Sequence, residues 1–184
     1  MHFDLSTFYL LIIGTLLASA AMMFWERGLA ARRSKTLRIL GAGLVVLAAG
    51  CAVALFRRFL PQAIGSAGGN LLILAGYLLV LHGVASFNGR RHLAASFCMF
   101  VGMALVWAIW GSQWQLVVWS YVSAFPIALA SGMTAWEMWR CTAVAPLSAR
   151  RVVIAAGSIH ARFYAVRAVF LRSLVAAYGQ NVLP

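Results

Sequence analysis

From Ala63 to Phe87 the chain runs for 25 residues without one Asp, Glu, Lys or Arg. At ~1.5 Å per residue a helix of that length crosses the hydrocarbon of a bilayer, about 30 Å thick, with residues to spare. Gly69, Gly76 and Gly83 recur every seven residues within it and share one helix face, and Gly65 forms a GxxxG pair with Gly69. Small residues let backbones approach closely, which is how helices associate where lipid supplies no hydrophobic drive. The pattern predicts a helix over Gln62–Arg91 at the middle of a bundle. Its glycine face should tolerate no bulk at Gly76, whereas Leu74, about 200° round the helix, should be more permissive. Asn70 lies beside this face, and an amide within hydrocarbon needs a partner on another helix.

Further apolar stretches occupy about Leu5–Trp25, Leu37–Phe56, Leu93–Trp110, Trp114–Trp139 and Val152–Ala177. Pro126 falls inside the fifth span, where its missing N–H predicts a kink. The chain of 184 residues is 64% hydrophobic and only 10% charged, with a mean hydropathy of +0.90. Soluble domains are about 45–50% apolar and about 25% charged. The runs are too long and continuous for a transmembrane barrel. The fold class expected is all-α: one membrane-embedded domain, 1–184, forming a polytopic bundle of about six spans. The first stretch is followed by Glu26-Arg27 rather than a small-residue cleavage site, so it reads as a retained helix and not a signal peptide.

The net charge of +12 does not indicate a nucleic-acid partner, because the cations sit in short clusters between apolar spans. Connections on the side of Arg27–Arg38 hold ten Lys and Arg, and the opposite side holds three, Arg57, Arg58 and Arg172. By the positive-inside rule the first, third and fifth connections face the cytoplasm and the N-terminus lies outside. Tryptophans fit that frame as interfacial belts: Trp107, Trp110, Trp114 and Trp119 near the outer turn, and Trp25, Trp136 and Trp139 near the inner surface.

Catalytic patterning is absent. The three acids, Asp4, Glu26 and Glu137, are far apart, and there is no HExxH, phosphate-binding loop or nucleophile elbow. Cys51, Cys98 and Cys141 have no ligand spacing, nor do His82, His92 and His160, so no metal or cofactor is expected. The sixth stretch carries the unusual chemistry. His160, Tyr164 and Arg167 fall at i, i+4 and i+7 on one stripe, with Arg162 roughly opposite. Each arginine at mid-bilayer costs about 2.5–3.5 kcal/mol, so each is either functional or paired with carbonyls, Asn70 or Glu137. The segment either crosses or lies on the inner interface. Its apolar start, Val152–Ile159, favours crossing. The candidate ligand- or signal-sensing residues are Asn70, His82, His160, Tyr164, Arg162 and Arg167.

Several short motifs resemble one family. Asp4-Leu5-Ser6-Thr7 opens the first helix, and Arg57-Arg58-Phe59-Leu60-Pro61 closes the second. Gly69-Asn70, Gly76, Gly83 and Phe87-Asn88-Gly89-Arg90 follow in the third, and Arg167 lies in a late helix. This resembles the MASE-like membrane input regions that precede GGDEF diguanylate cyclase domains in the bacterial inner membrane. The resemblance implies a multi-pass sensor passing helix movements to a cytoplasmic enzyme, with a further helix beyond Pro184. Expected partners are the lipid bilayer, a small-molecule or lipid ligand, and a second copy of the chain. No GGDEF string is present, so the chain itself is not expected to be an enzyme. A small free-standing transporter is the alternative reading. It would favour an inverted repeat, and the Gly-Asn-Gly pattern occurs only once.

Overall fold

The structure is a computed structural model that describes residues 5–29, 34–57, 59–61, 64–111, 113–114, 117–118, 122–141 and 147–178. Within these, the side chains at 5, 27–29, 64, 147–149, 152 and 167–178 lie outside the description. All regular structure among the described residues is helical. The helices are α1 (Leu5–Leu29), α2 (Ser34–Leu55), α3 (Gly69–Phe87), α4 (Leu93–Trp110), α5 (Ala124–Arg140) and α6 (Leu147–Tyr178). A π-type turn, Ile64–Gly68, leads into α3. Helix is what lipid demands, since it satisfies backbone N–H and C=O groups within the segment. Four segments, Ser6–Glu26, Ser34–Leu55, Gly65–Phe87 and Leu93–Trp110, are long and apolar enough to cross a membrane.

The helix α3 is central, packing against α2, α4 and α5, while α1 lies on α2 and α6 on α5. Its seam with α2 is an alternating lock. A Cβ added at Gly76 would sit 2.5 Å from Leu47 Cγ, and one at Gly83 would sit 2.6 Å from Leu40 Cδ2. Reciprocally, one at Gly50 would sit 2.7 Å from Ile73 Cγ1 and one at Gly43 would sit 3.0 Å from Val80 Cγ2. Leu40 and Leu47 of α2 thus fill notches in α3, and Ile73 and Val80 of α3 fill notches in α2. All eight positions follow a seven-residue repeat, so the notches stay in register along the pair. A Cβ added at Gly65 would lie 3.2 Å from the Arg57 backbone, and one at Gly69 would be in ordinary contact with Val53 Cγ1 at 3.5 Å.

The opposite face of α3 is equally occupied. Leu74 is 1% exposed and packs with Leu78, Met103, Trp107, Val118, Ile127 and Ala130 in the core between α3, α4 and α5. Leu74 is therefore not the permissive position that its angle from Gly76 suggested, because a central helix has no free face. Trp107 is also part of this core at 7% exposure and not of an interfacial belt. Trp25, Trp110, Trp114, Trp136 and Trp139 are all exposed; Trp119 lies outside the described residues.

The stretch Trp114–Trp139 is not one helix over its described residues. Continuous helix begins at Ala124, and the Ser123 N–H bonds the Val118 carbonyl five residues back at 3.0 Å. Pro126 is the third residue of α5, in the first turn, where N–H groups have no intrahelical partner to lose. The kink expected from a hydrogen bond lost at Pro126 is therefore not found, and Pro126 instead sits in the opening turn of α5. The helix α6 runs from Leu147 to Tyr178, and among its described side chains Val153–Val166 form an apolar stretch. It lies antiparallel along α5: Gly157 faces Ala135 and Gly132 faces Ala161.

Candidate functional site

Two polar clusters fasten the α5–α6 hairpin to α3 and α4. The first is built by the turn after α3. The Arg90 N–H bonds the Ala85 carbonyl at 3.0 Å and the Gly89 N–H bonds the Ser86 carbonyl at 3.2 Å. This is a Schellman stop, and its left-handed position is Gly89 at φ +67°. The turn presents Asn88, Arg90 and His92 to Glu137 at the end of α5. Asn88 Nδ2 donates to the Glu137 backbone carbonyl and to Oε2, both at 2.8 Å. His92 Nε2 donates to Oε1 at 3.0 Å, and the Arg90 guanidinium lies 3.7 Å from the same oxygen. Glu137 is 2% exposed, so this carboxylate has exchanged water for three named side chains. A buried carboxylate persists only when so paired.

The second cluster is in the middle of the bundle. The Tyr77 hydroxyl of α3 hydrogen-bonds His160 Nε2 of α6. The His160 ring stacks edge-on with Tyr164 at 4.9 Å between centroids, and Tyr164 packs on the α3–α4–α5 core. Either partner of the Tyr77–His160 bond can donate, so it survives a change of imidazole tautomer. The bond fixes the depth of α6 against α3.

The sequence candidates therefore divide. His160 and Tyr164 come together, and with Tyr77. Arg162 is exposed and lines a cavity of about 290 Å³ between α5 and α6, with Gly132, Trp136, Trp139 and Ser158. Asn70 is 7% exposed, and its Nδ2 has no partner among the described residues. His82 lies at the other end of α3, roughly 18 Å from Asn70 at the helical rise, and the two do not form one site. The Arg167 side chain lies outside the described residues. Tyr77, Asn88, His92 and Glu137 were not singled out as a site from sequence, although Glu137 as an acid among apolar spans was a signal that a partner had to exist. Among the described residues no three His, Cys, Asp or Glu side chains stand close enough to hold a metal ion. No family model, no curated protein and no solved structure matches this chain.

Proposed function

We propose that the chain is a membrane-embedded signal-input module, in which the α5–α6 hairpin moves against a fixed α1–α3 unit and passes that motion to an output domain. The observation that carries the reading is the unequal fastening of the two halves. Backbones interlock through four glycine notches between α2 and α3. The hairpin meets α3 through side chains instead: Ile127 and Ala130 share the apolar core with Leu74 and Leu78, and the Glu137 cluster and the Tyr77–His160 bond supply the polar ties. Packed interfaces switch between discrete arrangements, and a few polar bonds set which one is favoured.

The N-terminus lies outside in this reading, and α6 is a sixth crossing. Support comes from its antiparallel run along α5 and from the placing of His160 against Tyr77, well inside the bundle. An output domain in the cytoplasm is then reached through a further helix beyond Pro184, as the MASE-like resemblance implies for a diguanylate cyclase.

Fusion of the chain to a GGDEF cyclase domain tests both points. Cyclic di-GMP should be made in cells when a crossing helix is inserted after Pro184, and not by direct fusion. In the productive fusion His160→Ala should change synthesis about 5-fold or more at equal membrane level, the lower end of typical coupling between sites. Synthesis from direct fusion contradicts six crossings, and indifference to His160→Ala contradicts the switching role.

A further inference from the structure

We infer that the end of the bundle formed by the start of α2 and the α3–α4 turn binds the phosphate of an anionic phospholipid, with an acyl chain in the adjoining groove between α2 and α3. A cavity of about 360 Å³ there is lined by Lys35, Thr36, His82, Ser86, Arg90 and Arg91, together with Ile39, Gly89 and Leu93. It contains no acidic side chain. Arg90 lies beside Glu137, whereas Lys35 and Arg91 have no ion-pair partner among the described residues. His82 lines the cavity, and its buried Nδ1 has no hydrogen-bond partner among the described residues. Thr36 Oγ1 and Ser86 Oγ meet at 2.9 Å, and Ser86 donates to the Gly83 carbonyl at 2.7 Å. These hydroxyls brace the two helices and leave the cations to face a ligand.

The lipid assignment comes from what adjoins the cavity. A second recess of about 570 Å³, lined by Ser34, Lys35, Arg38, Ile39, Ala42 and Leu79, shares Lys35 and Ile39 with the first. Ala42 lies two turns, ~10 Å, along α2 from Lys35 towards the membrane interior. The site is thus cationic at the surface and apolar below it. A free phosphate has no use for the lower part, whereas a phospholipid fills both. Basic pockets between transmembrane helices on the cytoplasmic side recognise anionic headgroups in this way.

Native mass spectrometry of the purified full chain in detergent tests the site, with phosphatidylglycerol, phosphatidylcholine and sn-glycerol 3-phosphate as probes. Phosphatidylglycerol should bind saturably and on the order of 10-fold more tightly than phosphatidylcholine. The double variant Lys35→Gln/Arg91→Gln should weaken phosphatidylglycerol on the order of 10-fold, and the charge-matched Arg140→Gln/Arg151→Gln should not. Lys35, Arg91, Arg140 and Arg151 are all exposed, and unchanged melting temperatures will show that each variant is folded. Ala42→Phe, which fills the groove, should weaken phosphatidylglycerol and leave sn-glycerol 3-phosphate unaffected. Equal loss in both double variants overturns the site, and glycerol phosphate binding as tightly as phosphatidylglycerol overturns the lipid assignment.

Discussion

Replacing Gly76 by alanine should destabilise the folded bundle by ~1–3 kcal/mol, and replacing it by leucine should destabilise it further. The added Cβ would lie 2.8 Å from the Leu47 backbone nitrogen as well as 2.5 Å from its Cγ, so a rotamer change cannot relieve the overlap. The helices must separate, and the neighbouring notches lose contact with them. Gly50→Ala meets the Ile73 nitrogen at 2.8 Å and should behave alike. Gly83→Ala overlaps mainly the Leu40 side chain, with the Leu40 nitrogen at 3.3 Å, and should cost less. Gly102 faces open space in α4, so Gly102→Ala should be neutral or stabilising by about 0.4–1 kcal/mol through the unfolded state. Thermal unfolding in detergent measures the series. Equal losses at Gly76 and Gly102 would refute the interlocked seam.

The second large effect is expected at the buried carboxylate. Asn88→Ala leaves Glu137 Oε2 and the Glu137 backbone carbonyl without the amide that bonds both. A hydrogen bond to a charged group is worth about 1.5–3 kcal/mol, and the abandoned oxygen is too buried to recruit water freely. Glu137→Ala removes the charge and both carboxylate oxygens, which strands the His92 N–H and leaves the Asn88 amide only the backbone carbonyl of residue 137. The two substitutions act on one network, so the double variant should cost less than their sum by about 1–3 kcal/mol. Additive costs in a double-mutant cycle would mean that the pair does not act as a clasp.

The span pattern and the central glycine helix were legible because their causes are local: unbroken apolar runs and a seven-residue recurrence of Gly. The partner of that seam was not legible. Gly43 and Gly50 carry the same spacing in α2, but only the register of two helices shows that Leu40 and Leu47 fill the notches of α3. Angular reasoning failed at Leu74 because it presumes one buried face, whereas a helix touched by three others has several. Trp107 misled for a related reason: a tryptophan near a helix end suits an interface or a core equally well, and neighbours decide between them. Pro126 was read as a kink inside one long helix, whereas it lies in the first turn of a shorter one, where it removes no helix hydrogen bond. The Glu137 clasp joins residues 45 to 49 positions apart and has no sequence period to betray it.

The division into a fixed α1–α3 unit and a hinged α5–α6 hairpin is most directly tested by distances between spin labels. Labels at Leu10 and Val45 report on α1 against α2, and labels at Val45 and Val166 report on α6 against α2; all three positions are exposed. In the variant Tyr77→Phe/Asn88→Ala, both polar ties of the hairpin are weakened while the apolar core and the glycine notches are intact. The Val45–Val166 distance should then shift or broaden by roughly 2–5 Å, the scale of helix sliding at packed interfaces, with Leu10–Val45 unchanged. An unaltered Val45–Val166 distribution, or equal changes in both pairs, would contradict a hairpin held in place by these two clusters.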